Sequence, residues 1–183
     1  MISSPSNLTS LMKSRLINSI LTLPNNDDWL WTVTLLLIFS SIVIPLGFRS
    51  GFLRYEIPAI SWKVRFRIIA LALLLPATAE EVLFRVLLLP HKFEQVSLVT
   101  KCLSGSISLV LFVIYHPLNA ALLFRNAKET FTNFTFLTCA ALLGIVCTMA
   151  YFKSGSIYPS ITLHWIFVFS WLLVLGGYRK LHK

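Results

Sequence analysis

Charge is scarce in this chain. Asp and Glu number 7 among 183 residues, and charged residues of both signs make up 13%. A soluble domain usually carries about 25%. So little charge does not cover a water-exposed globule. No internal repeat is visible, so the inverted-repeat plan of many transporters has no support. The three cysteines, Cys102, Cys139 and Cys147, show no CxxC spacing. They read as small apolar side chains in a packed interior, not as a redox or metal set. Met1 to Asn26 is polar, with Ser, Asn and Pro throughout, and has no signal-peptide profile.

What the chain does have is apolar length. Hydrophobic residues reach 56% and mean hydropathy is +0.78. Five apolar blocks stand out: Trp29 to Phe48, Phe66 to Leu89, Leu103 to Phe124, Phe134 to Phe152 and Pro159 to Tyr178. Each approaches the roughly 20 residues that a helix needs to cross a bilayer. Lipid offers the backbone no hydrogen-bond partner, so unalternating runs of this kind are helical. The expected fold is all-α, an integral membrane bundle of about five transmembrane helices in one compact domain.

The net charge of +9 fits topology signals and anionic lipid better than nucleic acid, because no basic face on a soluble fold is visible. Ten Lys and Arg fall in the segments after the first and third blocks and in the tail, five fall on the opposite side, and Arg85 lies within a block. By the positive-inside bias, the richer side is cytoplasmic and the N-terminus outside. Trp29, Trp31, Trp62 and Tyr178 suit interfacial anchoring. Residues 1–28 read as a polar N-terminal segment. Within it, Leu8 to Leu23 has helical apolar spacing with Lys13 and Arg15 interleaved, as in a helix lying on a membrane; a frayed tail is the other reading.

Ionisable groups inside the blocks are few. The second block holds Glu80, Glu81 and Arg85, the third His116 with Asn119, the fifth His164. Such groups are costly in hydrocarbon and point to function by default. Counting helical rise from the cytoplasmic side places Glu80 and His164 roughly 20 Å deep and His116 about 13 Å. Whether they share a site depends on how each helix is rotated. Glu81 and Arg85 are four apart, acid first, the favourable order for an ion pair on one helical face. Glu80 is rotated by about 100° from Glu81, which leaves it as the free carboxylate. Pro76 and Pro117 should bend their helices beside these groups, as is tolerated where a helix lines a cavity.

The same residues form an ordered set of motifs. "EEVLFR" (Glu80 to Arg85) is EExxxR, "FVIYH" (Phe112 to His116) is FxxxH, and "HWIFV" (His164 to Val168) stands where HxxxN or HxxxD is expected. In this order they resemble the CPBP family of intramembrane endopeptidases, which includes CAAX prenyl proteases of the Ras-converting type and bacteriocin-processing or immunity proteins. The resemblance implies a transmembrane protease domain over 29–183, with its motif-bearing core at 65–178. It implies an endopeptidase in which Glu80 activates water, while His116 and His164 position water or stabilise the oxyanion. Glu81, Arg85 and Phe112 would be supporting residues. Val168 departs from the pattern, which has Asn or Asp there. Losing one oxyanion donor costs about 10²–10³ in rate, and Asn119 is a candidate substitute. The expected substrates are membrane-embedded or lipid-anchored proteins, with membrane lipids and no nucleic acid as other partners, in a multi-pass protein of the bacterial cytoplasmic membrane. No cofactor is required. The alternative is zinc on Glu80, His116 and His164, since two His and one Glu match a catalytic ligand set, although HExxH is absent. The rival to catalysis is an inactive membrane scaffold or immunity-type protein on the same fold.

Overall fold

The computed structural model describes residues 5–122 and 125–181. Leu123 and Phe124 at the end of the third apolar block, the Arg125 side chain and Lys183 lie outside the described residues. The fold is all-α, and its elements are helices joined by short loops. Helix α1 (Pro5–Leu21) leads into α2 (Asn26–Arg49), and α3 (Trp62–Ala72) runs on through π-helical segments at Leu73–Glu80 and Val82–Leu87. Then follow α4 (Leu98–Leu122), α5 (Lys128–Phe131), α6 (Phe134–Ser154), α7 (Ile157–Leu173) and α8 (Gly177–Leu181). Three of these, α2, α4 and α6, are long and apolar enough to cross a membrane, and α7 is a shorter apolar helix. The protein is a multi-pass membrane protein.

Local sequence sets the ends of the helices. Asn25 caps α2 reciprocally: its side chain accepts from the Asp28 N–H at 2.9 Å, and the Asp28 carboxylate accepts from the Asn25 N–H at 3.1 Å. Asn133 and Ser156 cap α6 and α7 in one direction only, their side chains accepting from backbone N–H groups of the first turn. Gly155 ends α6 at φ +71°, a left-handed position that a residue with Cβ adopts at a cost. Its carbonyl lies 2.8 Å from the buried His91 ring, which fixes the α6–α7 turn against the turn after the π segments.

Helix α6 is the hub. Leu35, Phe39 and Val43, one turn apart on α2, pack against Cys139, Leu143, Val146, Cys147 and Ala150 of α6 and Leu163 of α7. Lipid tails are as apolar as leucine, so such packing rests on close van der Waals fit, and small residues at the seam allow it. Trp31, one of the expected interfacial residues, packs against this core with the Lys153 amine 5.8 Å from its ring. Cys139 and Cys147 are buried as expected; Cys102 is exposed.

Each end of the bundle is tied. At one end Arg15 of α1 forms a two-point pair with Glu94, at 2.8 and 2.7 Å, and donates to the Leu87 carbonyl at 2.9 Å. Ser19 and the Tyr151 hydroxyl meet at 2.9 Å. The segment Leu8 to Leu23 is therefore helical over most of its length and docked on the bundle. At the other end the loop after α2 follows the chain beyond α7: Glu56 N–H donates to the Val174 carbonyl at 2.9 Å, and Arg179 pairs with Glu56 at 3.1 Å.

Candidate active site

Three elements bring the ionisable residues together: the π-wound continuation of α3, α4 and α7. Proline explains the winding. Pro76 has no N–H to donate and clashes with the preceding turn. The helix responds by widening to i→i+5 bonding over Leu73–Glu80, not by the simple bend expected from sequence. Wider winding turns each residue through less than the α-helical 100°, so Glu80 and Glu81 diverge less than an ideal helix would make them. Both carboxylates consequently reach one imidazole.

That imidazole is His164. Its Nδ1 lies 2.9 Å from Glu81 Oε1, and its Nε2 lies 3.8 Å from Glu80 Oε2. His116 approaches from α4, with Nε2 4.0 Å from the same Glu80 oxygen. Its Nδ1 lies 2.8 Å from the Phe112 carbonyl. A carbonyl only accepts, so His116 Nδ1 carries the proton and, in the neutral ring, Nε2 presents a lone pair. An ionised Glu81 likewise keeps a proton on His164 Nδ1. Two imidazole Nε2 atoms thus converge on one carboxylate oxygen, with all three side chains nearly buried.

Behind this set lies a second layer. Arg85 and Glu81 are both wholly buried, with Arg85 Nε 3.1 Å from Glu81 Oε2. The pair expected from sequence is present, yet Glu81 is not only a neutralised structural acid, because it also holds His164. The guanidinium carbon stands 4.6 Å above the Phe112 ring, and Nη2 donates to the Gly144 carbonyl at 3.4 Å. Phe112, 0% exposed, meets the edges of both histidine rings, at 4.8 Å for His116 and 6.0 Å for His164. It is the packing residue around which the site is arranged. Gly144 makes room here: a Cβ would meet the Leu109 terminal methyl at 2.7 Å and the Phe112 ring at 3.2 Å, so both would have to shift.

Asn119 is not brought to Glu80 by any described contact; its Nδ2 donates to the Tyr115 hydroxyl at 3.3 Å. Val168 lies half-buried one turn beyond His164 on α7. The sequence reading missed Gly144 and Cys147, the latter buried beside Glu81 and Arg85. A glycine inside an apolar helix, which often marks a close approach, was the available signal for Gly144. Cys147 carried none. Among the described residues, no group of three His, Cys, Asp or Glu is arranged to hold a metal ion. A tetrahedral zinc with bonds of about 2.0–2.1 Å needs its donors closer together than the 3.8 and 4.0 Å found here.

A glutamate and two histidines from three helical elements, backed by a buried Glu–Arg pair, bring the three motifs together. The family model of type II CAAX prenyl endopeptidases, Rce1-like, matches residues 61–170. The chain belongs to this Rce1-like family. The match covers the π-wound helix, α4, α6 and most of α7, and so every residue of the cluster. Neither the curated proteins nor the solved structures give a match. Family membership makes the chain a CAAX-type protease in kind.

Proposed function

We propose that the chain is an intramembrane endopeptidase in which Glu80 activates water against a peptide bond of a membrane-embedded or lipid-anchored protein. The observation that carries this reading is the convergence of His116 Nε2 and His164 Nε2 on one Glu80 oxygen, at 4.0 and 3.8 Å. Those separations are too long for direct hydrogen bonds and suit a bridging water.

The roles follow from what each ring touches. His116 is backed by the neutral Phe112 carbonyl, so it stays neutral, and Nε2 accepts a hydrogen bond from the water without taking its proton. Glu80 takes the other proton as general base. The hydroxide oxygen bonds to the scissile carbonyl carbon, and the carbonyl electrons move to oxygen. His164 is backed by the Glu81 carboxylate, which stabilises an imidazolium much as the buried acid of a catalytic triad does. His164 enters the cycle already as that imidazolium, so its Nε2–H is present to donate to the oxyanion. Glu80 then hands its proton to the amide nitrogen, the C–N bond breaks, and the products are a carboxylate and an amine. Arg85 offsets the charge of Glu81, and Phe112 holds both rings.

Val168 has no polar atom to add to the oxyanion site, so His164 carries that work alone and turnover is slow. This substitution favours a second reading, an inactive scaffold on the same fold. The proposed chemistry needs no metal. The test is reconstitution. Purified chain is added to membranes from a strain lacking it, and new peptide termini are mapped with and without 1,10-phenanthroline. New termini that persist with the chelator support the proposal. Their loss with chelator points to zinc, and none in either case points to the scaffold.

A further inference from the structure

One groove in the bundle takes no part in the site. It runs along α4 and α6, lined by Leu98, Gly105, Leu109, Met149 and Phe152, and encloses about 430 Å³. At Gly105, on its floor, an added Cβ would rest in ordinary contact with Phe152 and Thr148, at 3.6 Å from each. Lys101 also lines it, in the first turn of α4. Lys101 forms no ion pair among the described residues. The neighbouring acid at this end of the bundle, Glu94, is taken by Arg15. Among the described ion pairs no carboxylate compensates Lys101, so the groove carries one positive charge at this end.

We propose that this groove holds one acyl chain of an anionic phospholipid, with the lipid phosphate on Lys101. The dimensions agree. From Lys101 to Leu109 the groove is roughly 12 Å deep at 1.5 Å per residue, close to one leaflet of a hydrocarbon core about 30 Å thick. A lysine one turn inside the helix end extends its amine to the headgroup level while its stem follows the apolar wall. The ligand must therefore join a long apolar chain to an anion at the membrane surface, as an anionic phospholipid does. This site is independent of the protease reading.

The test is native mass spectrometry of the intact chain released from micelles containing equal phosphatidylglycerol and phosphatidylcholine. The wild-type chain retains one phosphatidylglycerol in preference to phosphatidylcholine. Lys101→Gln lowers that preference about fivefold, the factor expected for one lysine near an anionic surface. Ser106 also lines the groove, and Ser106→Phe, which fills it, removes the bound lipid. A second measurement needs no variant. Cys102 is exposed and lines the groove, whereas Cys139 and Cys147 are buried, so maleimide labelling reports this position alone. Phosphatidylglycerol slows the labelling and phosphatidylcholine does not. Equal retention of the two lipids by the wild type, an unchanged preference in Lys101→Gln, or labelling indifferent to phosphatidylglycerol overturns the proposal.

Discussion

Replacing Glu81 by Gln separates the two tasks of the buried layer. Arg85 is 0% exposed, and besides Glu81 it meets the Gly144 carbonyl at 3.4 Å, the face of Phe112 at 4.6 Å and the neutral Cys147 side chain, none of them an anion. Without Glu81 its charge is buried with no anion beside it. Removing one member of a buried pair costs about 3–5 kcal/mol. Arg85→Met is milder, because Glu81 keeps His164 at 2.9 Å, and a protonated imidazole can compensate the acid. The double variant Glu81→Gln with Arg85→Met removes both charges. It should recover most of the stability lost in Glu81→Gln alone, a coupling on the order of 2–3 kcal/mol in a double-mutant cycle. Proteolysis should not recover with it, because a neutral amide in place of the Glu81 carboxylate cannot support an imidazolium at His164. The assay is unfolding of the four chains in detergent, followed by tryptophan fluorescence, beside the appearance of cleaved termini. Additive losses, with coupling below about 0.5 kcal/mol, refute the buried-pair account. Full activity in the double variant refutes the role given to Glu81.

Three further outcomes follow from the geometry. Val168→Asn should raise turnover, by up to about 10²–10³ where the amide reaches the oxyanion, as measured by the rate at which cleaved termini appear; an inert scaffold shows no change. Gly144→Val should destabilise the chain by about 1–3 kcal/mol through overpacking, since its Cβ meets Leu109 at 2.7 Å, and thermal unfolding in detergent reads the loss. The α1 tie should weaken in acid. Burial raises the Glu94 carboxyl, but the Arg15 hydrogen bond, the His91 N–H and the Arg15 charge outweigh it and hold Glu94 below its ordinary value of 4.5. A group depressed in the folded state stabilises above its unfolded pKa and loses that contribution as pH falls through the folded one. Limited proteolysis of α1 should therefore accelerate below about pH 4.5 in the wild type and show no such step in Glu94→Gln.

How far the structure was legible depended on the kind of signal. Apolar length marked the helices, because the bilayer fixes the length of a span and forbids unpaired backbone. Glu80, His116 and His164 stood out because ionisable groups are costly there. Rotation about the helix axes was not legible. The Glu81–His164 contact depends on the π winding around Pro76, and an ideal α-helix sends the two glutamates apart. Gly144 and Cys147 were hidden because their importance comes from what other helices place against them. Trp31 and Cys102 show the same limit: a tryptophan near a helix end packed inward, and a cysteine at a helix start stayed at the surface.

The central claim is that Glu80 is the base, and the most direct measurement is comparative membrane proteomics of cells carrying the wild-type chain or Glu80→Gln. Glutamine keeps the shape and removes the proton acceptor. At equal levels of the two chains, the account expects a membrane-anchored protein to accumulate uncleaved in the Glu80→Gln cells. Identical cleavage products in both would contradict it and leave Glu80 a structural residue.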